Sequence, residues 1–320
     1  MVLVAPAHAK INLGLAITGT RPDGYHELAS VFLRIALADT LAVTVAAPGR
    51  PDDLAIDDPA CPVDGNLVLR GFRVLREGLG DPDRAELPGL LASLRKRIPM
   101  GGGLAGGSTD GAAAIRLAAA AWHLPAEAAE VSALGARLGA DVPFFLGGHA
   151  AALVTGVGEQ LAPLPPLRSP MGILLVTPSF GMATPAVFRA YDALATAHAA
   201  PGAASAEAVA SLVEGWVAGL DGPALAGRAD ALRDANDLWP AAASLDGRLE
   251  ELRDTLESTL RRPVLLTGSG STLVALYPSP GAAADAAASA RAVTAPAGVT
   301  LRVVATSDAP IETLPEDPTP

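Results

Sequence analysis

The sequence predicts a mixed α/β fold of two domains, in which helices and strands alternate along the chain. The length of 320 residues suits about two domains of ~100–200 residues each. Half of the residues are hydrophobic and 18% are charged, which is typical of a globular protein. Segments of alternating apolar residues and segments of helical periodicity also follow one another from end to end.

Each element is predicted from its periodicity and its flanking turn residues. The predicted strands lie at 8–17, 41–45, 149–164 (a hairpin), 172–178, 264–277 (a strand, a glycine turn and a strand) and 299–305. The predicted helices lie at 66–79, 108–122, 125–138, 184–197, 205–220, 240–260 and 281–292. The proline-rich stretch at 161–170 predicts the boundary between a domain over 1–160 and a domain over 161–310, followed by a disordered tail over 311–320.

The composition excludes several classes of protein. A net charge of −11 argues against nucleic-acid binding through a basic field, although backbone amides can still hold small anions. The single cysteine, Cys61, excludes an intrachain disulfide and a multi-cysteine zinc site, and it fits a reducing compartment. We find no secretory signal and no apolar stretch of membrane-spanning length, so we expect a cytoplasmic protein without a membrane partner.

The segment GGGLAGGSTD (101–110) carries the strongest chemical signal. Its glycines let backbone N–H groups converge on one point, and the helix predicted after it directs its free N–H groups to the same place. Ser108 is the expected N-cap of that helix, and Asp110 suits its first turn. Ser108 and Thr109 also offer hydroxyl groups to a ligand or a metal ion. A polyphosphate is the expected ligand, and a flexible linker is the alternative.

Two familiar phosphate-binding loops fit this segment poorly. Gly101, Gly103 and Gly106 match the G-x-G-x-x-G dinucleotide pattern, but no acidic residue follows at the required distance. The P-loop pattern requires a lysine before the final Ser or Thr, and none is present. Lys96 precedes the segment and is one of only two lysines in the chain. It either reaches the nucleotide or is a solvated charge in a turn.

Lys10 and Asn12 share one face of a predicted strand because they are two residues apart. A lysine in an apolar strand needs a partner, and Asp141 in ADVPFFL is a candidate. Asp141 either caps the short helix that starts near Pro143 or acts as a general base that Lys10 orients.

Two further segments suit a nucleotide-like ligand. RPDGYHELASVF (21–32) places Tyr25, His26 and Phe32 near a turn, where rings can stack on a base and His26 can bind a base edge. A surface turn and core packing are the alternatives. LTGSGSTLVAL (266–276) holds a second glycine–serine loop, which either binds phosphate or is a plain hairpin turn.

These motifs, in this order, resemble the galactokinase, homoserine kinase, mevalonate kinase and phosphomevalonate kinase (GHMP) superfamily. The resemblance rests on AKINLGLAITG, PMGGGLAGGSTDGAA, ADVPFFLGGHA and LLTGSGSTLVAL. The DGYH segment is similar to the branch that phosphorylates 4-diphosphocytidyl-2-C-methyl-D-erythritol. The resemblance covers about residues 5–305, although 195–262 match only in length and helical character.

The resemblance implies a two-domain GHMP kinase fold, with an S5-like ATP-binding domain and a ferredoxin-like second domain. It implies ATP-dependent phosphorylation of the 2-hydroxyl of that cytidine diphosphate-linked polyol, in non-mevalonate isoprenoid precursor biosynthesis. ATP and Mg²⁺ are the implied cofactors, and the small-molecule substrate is the implied partner, with no nucleic acid and a monomer or weak homodimer. The alternatives are another GHMP kinase of a small alcohol and a non-catalytic nucleotide-binding relative.

The resemblance also implies roles for individual residues. Asp141 matches the family's base, and Lys10 matches its partner. The implied ATP-binding residues are Asn66, Lys96, Pro99, Met100, Gly101, Gly102, Gly103, Leu104, Ala105, Gly106, Gly107, Ser108 and Thr109. The implied substrate-binding residues are Asn12, Tyr25, His26, Phe32, Thr184, Phe188, Gly268, Ser269 and Gly270. Ser108 is the candidate contact for Mg²⁺, and Asp110 is either a helix-start charge or a further metal ligand.

Overall fold

The computed structural model describes residues 1–78, 87–124, 133–195, 202–294, 298–308 and 314–315. Within these ranges the chain forms two β-sheets with helices packed against them, which confirms the predicted α/β class. Most of the helix predicted from Pro125 lies outside the described residues. The predicted tail does too, except that Leu314 and Pro315 pair with the N-terminal strand.

Seven strands form the larger sheet. They are β1 (Val2–Thr20), β2 (His26–Val45), β3 (Asp53–Ile56), β4 (Leu90–Arg95), β5 (Ala151–Thr155), β6 (Gln160–Leu164) and β11 (Leu314–Pro315). Their order is β11-β1-β2-β4-β3, with β5 paired to β2 and β6 paired to β5. The β5–β6 pair confirms the hairpin predicted at 149–164, and the strand predicted at 41–45 is the last part of β2.

Four strands form the smaller sheet. They are β7 (Gly172–Thr177), β8 (Leu265–Leu266), β9 (Leu273–Tyr277) and β10 (Thr300–Ala305). Their order is β10-β7-β9-β8, and neighbouring strands are antiparallel. Every residue of β7 is buried, as its unbroken apolar sequence predicts.

Ten helices have bounds within the described residues. They are α1 (Leu67–Gly78), α2 (Gly106–Ala121), α3 (Val142–Leu146), α4 (Thr184–Ala195), α5 (Ala203–Val217), α6 (Gly222–Ala226), α7 (Ala229–Leu232), α8 (Trp239–Leu245), α9 (Arg248–Leu260) and α10 (Pro280–Thr294). The single helix predicted over 240–260 is wrong, because Asp246 is extended and separates α8 from α9. The Asp246 carboxylate accepts the N–H of Arg248, which is the local competition with helical hydrogen bonding that aspartate favours.

Small residues bring α2 close to its neighbours and thereby fix the glycine segment that precedes it. Ala112, Ala113 and Ala114 are fully buried in a core shared with α1 and the larger sheet. A Cβ on Gly71 of α1 would lie 3.1 Å from the Gly111 carbonyl oxygen, so the two helices touch along their backbones. The start of α2 is therefore held rigidly against the sheet.

Candidate active site

A cavity of about 820 Å³ collects most of the predicted site residues. It is bounded by β1, β2, the glycine segment before α2, α4 and the loop between β8 and β9. The predicted residues that line it are Lys10, Asn12, Tyr25, His26, Phe32, Lys96, Asp141, Thr184, Phe188, Gly268, Ser269 and all residues from Pro99 to Ser108. The sequence motifs, far apart in the chain, thus meet at one place.

Three predicted site residues do not line this cavity. The Asn66 side chain accepts the N–H of Val68 and donates to the Pro62 carbonyl, so it serves the start of α1. Thr109 is buried in the face of α2 that packs on the core. Gly270 faces the side chain of Leu266, which a Cβ on Gly270 would approach to 2.9 Å.

Lys10 and Asp141 form an ion pair at the cavity. The Lys10 Nζ atom lies 3.6 Å from Asp141 Oδ2, with the lysine buried and the aspartate side chain 28% exposed. Burial lowers the pKa of Lys10, although the Asp141 carboxylate opposes this effect. Asp141 occupies the N-cap position of α3, but its side chain makes no capping hydrogen bond. Its carboxylate is therefore available to a ligand in the cavity.

Asn12 connects Lys10 to the two sides of the cavity. Its Oδ1 atom accepts a 2.6 Å hydrogen bond from Lys10 Nζ, which confirms that the two side chains share a face of β1. Its Nδ2 group donates to Ser30 Oγ at 2.8 Å, and its backbone N–H donates to the Thr267 hydroxyl before the second glycine loop. Lys10 also lies 4.3 Å from the ring centre of Phe32. These contacts fix the lysine and satisfy its buried charge.

The two glycine loops pack directly against each other. Gly103 has a φ of +74°, and a Cβ there would lie 2.5 Å from the Thr267 carbonyl oxygen. The N–H of Thr272 donates to the Gly102 carbonyl oxygen. A Cβ on Gly268 would lie 3.1 Å from the Gly103 carbonyl oxygen. Only glycine allows this close approach. The two loops therefore lie side by side, and both border the cavity.

The predicted N-cap of α2 is wrong. The cap position is Ala105, whose backbone is in the left-handed conformation with φ of 58°, and Ser108 lies within the first turn. The N–H of Thr109 already donates to the Ala105 carbonyl oxygen. The N–H groups of Gly106, Gly107 and Ser108 precede this bond, and the positive end of the helix dipole lies beside them. This end of α2 suits an anion.

Lys96 belongs to a buried cluster beneath the start of α2. Its Nζ atom lies 2.5 Å from Asp39 Oδ2 and 2.8 Å from Asp110 Oδ2, and all three side chains are buried. The interpretation of Lys96 as a solvated turn charge is therefore wrong. Asp39 Oδ1 also accepts the backbone N–H groups of Arg97 and Ile98, so the cluster fixes the chain that leads into the glycine segment.

This cluster contains two carboxyl groups and only one ammonium group. Burial would lower the pKa of Lys96, but the carboxylates of Asp110 and Asp39 outweigh it and raise the pKa. Burial raises the pKa of Asp110 from 3.8 to about 7, and the negative charge of Asp39 adds to this effect against the attraction of Lys96. Within the described ranges, one oxygen of Asp110 has no hydrogen-bond partner. Asp110 is thus a partner of Lys96 rather than a charge that stabilises the first helical turn.

Aromatic side chains gather at the end of the cavity formed by β2 and α4. The rings of His26 and Phe188 are stacked, with centroids 5.3 Å apart, and Tyr191 meets His26 edge-on. Tyr25 is 66% exposed at the rim. A 2.9 Å hydrogen bond joins the hydroxyl groups of Thr184 and Ser269 and links α4 to the second glycine loop. This end of the cavity suits a planar ring.

Comparison with known proteins gives a consistent result. Residues 66–149 match the family model described as the GHMP kinases N terminal domain. The 4-diphosphocytidyl-2-C-methyl-D-erythritol kinase of Gluconacetobacter diazotrophicus is 39% identical over 88% of this chain and 88% of its own length. The corresponding protein of Streptomyces coelicolor is 37% identical over 89% of this chain and 90% of its own.

The chain belongs to the 4-diphosphocytidyl-2-C-methyl-D-erythritol kinase family. A crystal structure described as 4-(cytidine 5'-diphospho)-2C-methyl-D-erythritol kinase superposes with a TM-score of 0.68 at 32% identity, covering 94% of this chain and 98% of that one. A mevalonate kinase crystal structure superposes with a TM-score of 0.65 at 11% identity, which shows the shared GHMP fold. The family assignment makes the protein a phosphotransferase that acts on a small molecule.

The described ranges lack two kinds of feature. They contain no group of three or more His, Cys, Asp and Glu side chains arranged to hold a metal ion. In the same part of the chain, none of the helices has both the length and the apolar character needed to cross a bilayer.

Sequence reasoning missed three polar residues around this site. Asp39 pairs with Lys96, Ser30 holds the amide of Asn12, and Asp192 lies 2.9 Å from His26. Asp39 was detectable, because an acid in the apolar strand segment LADTLAV needs a buried partner just as Lys10 does. Ser30 and Asp192 carry no comparable signal, since serine and an exposed helical aspartate are common in any sequence.

Proposed function

We propose that the protein transfers the γ-phosphoryl group of ATP to the 2-hydroxyl of 4-diphosphocytidyl-2-C-methyl-D-erythritol, with Asp141 as the base and Lys10 as its partner. The observation that carries this proposal is the Lys10–Asp141 pair in a cavity that both glycine loops line. The family assignment supports ATP as the donor and a small molecule as the acceptor. The domain division near residue 160 and a monomeric or weakly dimeric state stay predictions.

In the proposed reaction, Asp141 accepts the proton of the substrate hydroxyl while the hydroxyl oxygen attacks the γ-phosphorus. The bond between that phosphorus and the bridging oxygen breaks, and ADP leaves. Lys10 holds the carboxylate in place through the ion pair. The N–H groups at the start of α2 and in the glycine segment support the negative charge of the phosphates.

The proposal includes Mg²⁺, and the residues beside the glycine segment fit an ion that takes most of its ligands from ATP. Mg²⁺ commonly takes its ligands from substrate phosphates, water and only one or two protein oxygens. Ser108 offers a hydroxyl on the cavity wall, whereas Asp110 is already paired with Lys96. Ser108 would therefore hold an ion bound mainly by ATP, and the ion would neutralise charge on the phosphates.

The variant Asp141→Asn tests the proposal. We expect it to bind ATP normally in calorimetry and to lose turnover by roughly 10²–10⁴-fold, because the amide cannot accept the proton. ADP release would be measured with the cytidine diphosphate-linked polyol and with a panel of other alcohols. The exposed Asp285 of α10 gives the matched control, Asp285→Asn. Near-normal kcat for Asp141→Asn would contradict the base, and faster turnover of another alcohol would contradict the substrate.

A further inference from the structure

Both ring nitrogens of His26 are occupied by protein groups. Nε2 lies 2.9 Å from Asp192 Oδ1, and Nδ1 lies 3.1 Å from the Thr20 hydroxyl. A carboxylate only accepts hydrogen bonds, so Nε2 carries the proton toward Asp192, and Nδ1 of a neutral ring accepts from Thr20. The side chain is only 9% exposed. In this arrangement neither ring nitrogen is left for the edge of a nucleobase.

The faces of the His26 ring are used to join two parts of the molecule. His26 begins β2, and its ring stacks on Phe188 of α4 at an angle of 14°. Asp192 is four residues after Phe188, so it lies one turn further along the same helix and reaches the same imidazole. Two contacts of different kinds, a stack and a hydrogen bond, thus fix α4 against the start of β2.

Asp192 borders the cavity without being buried in the protein core. Its side chain is 55% exposed, and it lines the same end of the cavity as Tyr25, His26 and Phe188. Its carboxylate contacts the imidazole of His26. The residue therefore acts on the aromatic end of the site and not on the phosphate end.

We propose that Asp192 is a positioning residue for the cytidine part of the substrate. By holding His26 in one tautomer and one orientation, it fixes the Phe188 ring at the place where a planar base would bind, and Thr20 completes the arrangement. The inference rests on the proposed function of the cavity. A site fixed before binding loses less conformational entropy when its ligand enters, so the benefit falls on the base-containing ligand and not on ATP.

The test compares Asp192→Ala and Asp192→Asn with the unmodified protein. Asp192 would not touch the base, so its loss weakens binding only because His26 and Phe188 must then be ordered when the ligand enters. The cost of ordering such side chains corresponds to about a three- to tenfold loss of affinity. We expect Asp192→Ala to raise KM for the cytidine substrate by that factor, with kcat and the KM for ATP nearly unchanged. Asp192→Asn, which still accepts from Nε2, should lie between Asp192→Ala and the unmodified protein.

A second measurement separates this inference from the proposed function. Calorimetric binding of CDP in the absence of turnover should weaken in Asp192→Ala by the same factor, even if the polyol acceptor is a different one. The control is Asp254→Asn, which changes an exposed aspartate on α9. The inference is overturned if CDP does not bind the unmodified protein, if Asp192→Ala binds it equally well, or if KM for both substrates rises together with a lower melting temperature.

Discussion

Replacing Asp110 with asparagine should stabilise the protein, and the gain should depend on pH. Asp110 shares the buried cluster with Lys96 and Asp39, so two carboxylates face one ammonium group. Asparagine keeps the shape of the side chain and can still accept from Lys96. Its neutral amide can also lie beside Asp39 without adding a charge. The substitution therefore removes one buried negative charge and leaves the packing in place.

The magnitude follows from the pKa of Asp110. Burial and the neighbouring Asp39 raise this pKa from 3.8 to about 7. The folded protein therefore binds more protons than the unfolded chain between about pH 4 and pH 7, and Asp110 makes folding less favourable as the pH rises through that range. A difference of about three pKa units corresponds to roughly 4 kcal/mol above pH 7. We expect Asp110→Asn to gain a few kcal/mol there and little near pH 4.

Urea unfolding followed by circular dichroism would measure this gain at several pH values across the range. Asp285→Asn, at an exposed position of α10, is the control and should change the free energy of unfolding by less than about 0.5 kcal/mol. If Asp110→Asn is less stable than the unmodified protein above pH 7, or if its effect does not vary with pH, the reasoning about the cluster is refuted.

Two further predictions concern the catalytic pair and the glycine loops. Lys10→Arg should lose most activity while the fold is kept. The reason is that a planar guanidinium does not replace the compact ammonium group that contacts Asp141, Asn12 and Phe32. Full kcat in the ADP-release assay would contradict this prediction. Gly103→Ala should lower the free energy of unfolding by roughly 2 kcal/mol or more, because the new Cβ would lie 2.5 Å from the Thr267 carbonyl oxygen at a left-handed φ. Thermal unfolding would measure this loss. Gly247→Ala is the control, because a Cβ there meets nothing within 4 Å.

Much of the fold could be predicted because periodicity and turn residues are local signals. The hairpin at 149–164 and the buried strand near 172–178 formed as predicted. The helix predicted over 240–260 failed because Asp246 binds a neighbouring backbone N–H, and the periodicity alone does not reveal such a break. The predicted N-cap of α2 was also wrong. The cap residue is Ala105, and an alanine side chain gives no sign that its backbone adopts the left-handed conformation.

The candidate site was predictable where a motif brings charge into an apolar context. Lys10 needed a partner, and the structure places Asp141 at 3.6 Å. Lys96 lies in the charged segment LRKR, which does not indicate burial, so the sequence did not predict its ion pairs with Asp39 and Asp110. The contact between His26 and Asp192 joins β2 to α4, and such contacts depend on how distant elements pack rather than on any local pattern.

The close approach of the two glycine loops has a consequence for how this sequence can change. Gly103 faces the carbonyl oxygens of Thr267 and Gly270, and Gly268 faces the carbonyl oxygen of Gly103. A side chain introduced on one loop is tolerated only if the other loop moves away, and both loops border the same ligand. Substitutions at these positions should therefore occur together among natural variants, and a laboratory selection that varies one loop alone should recover mostly glycine.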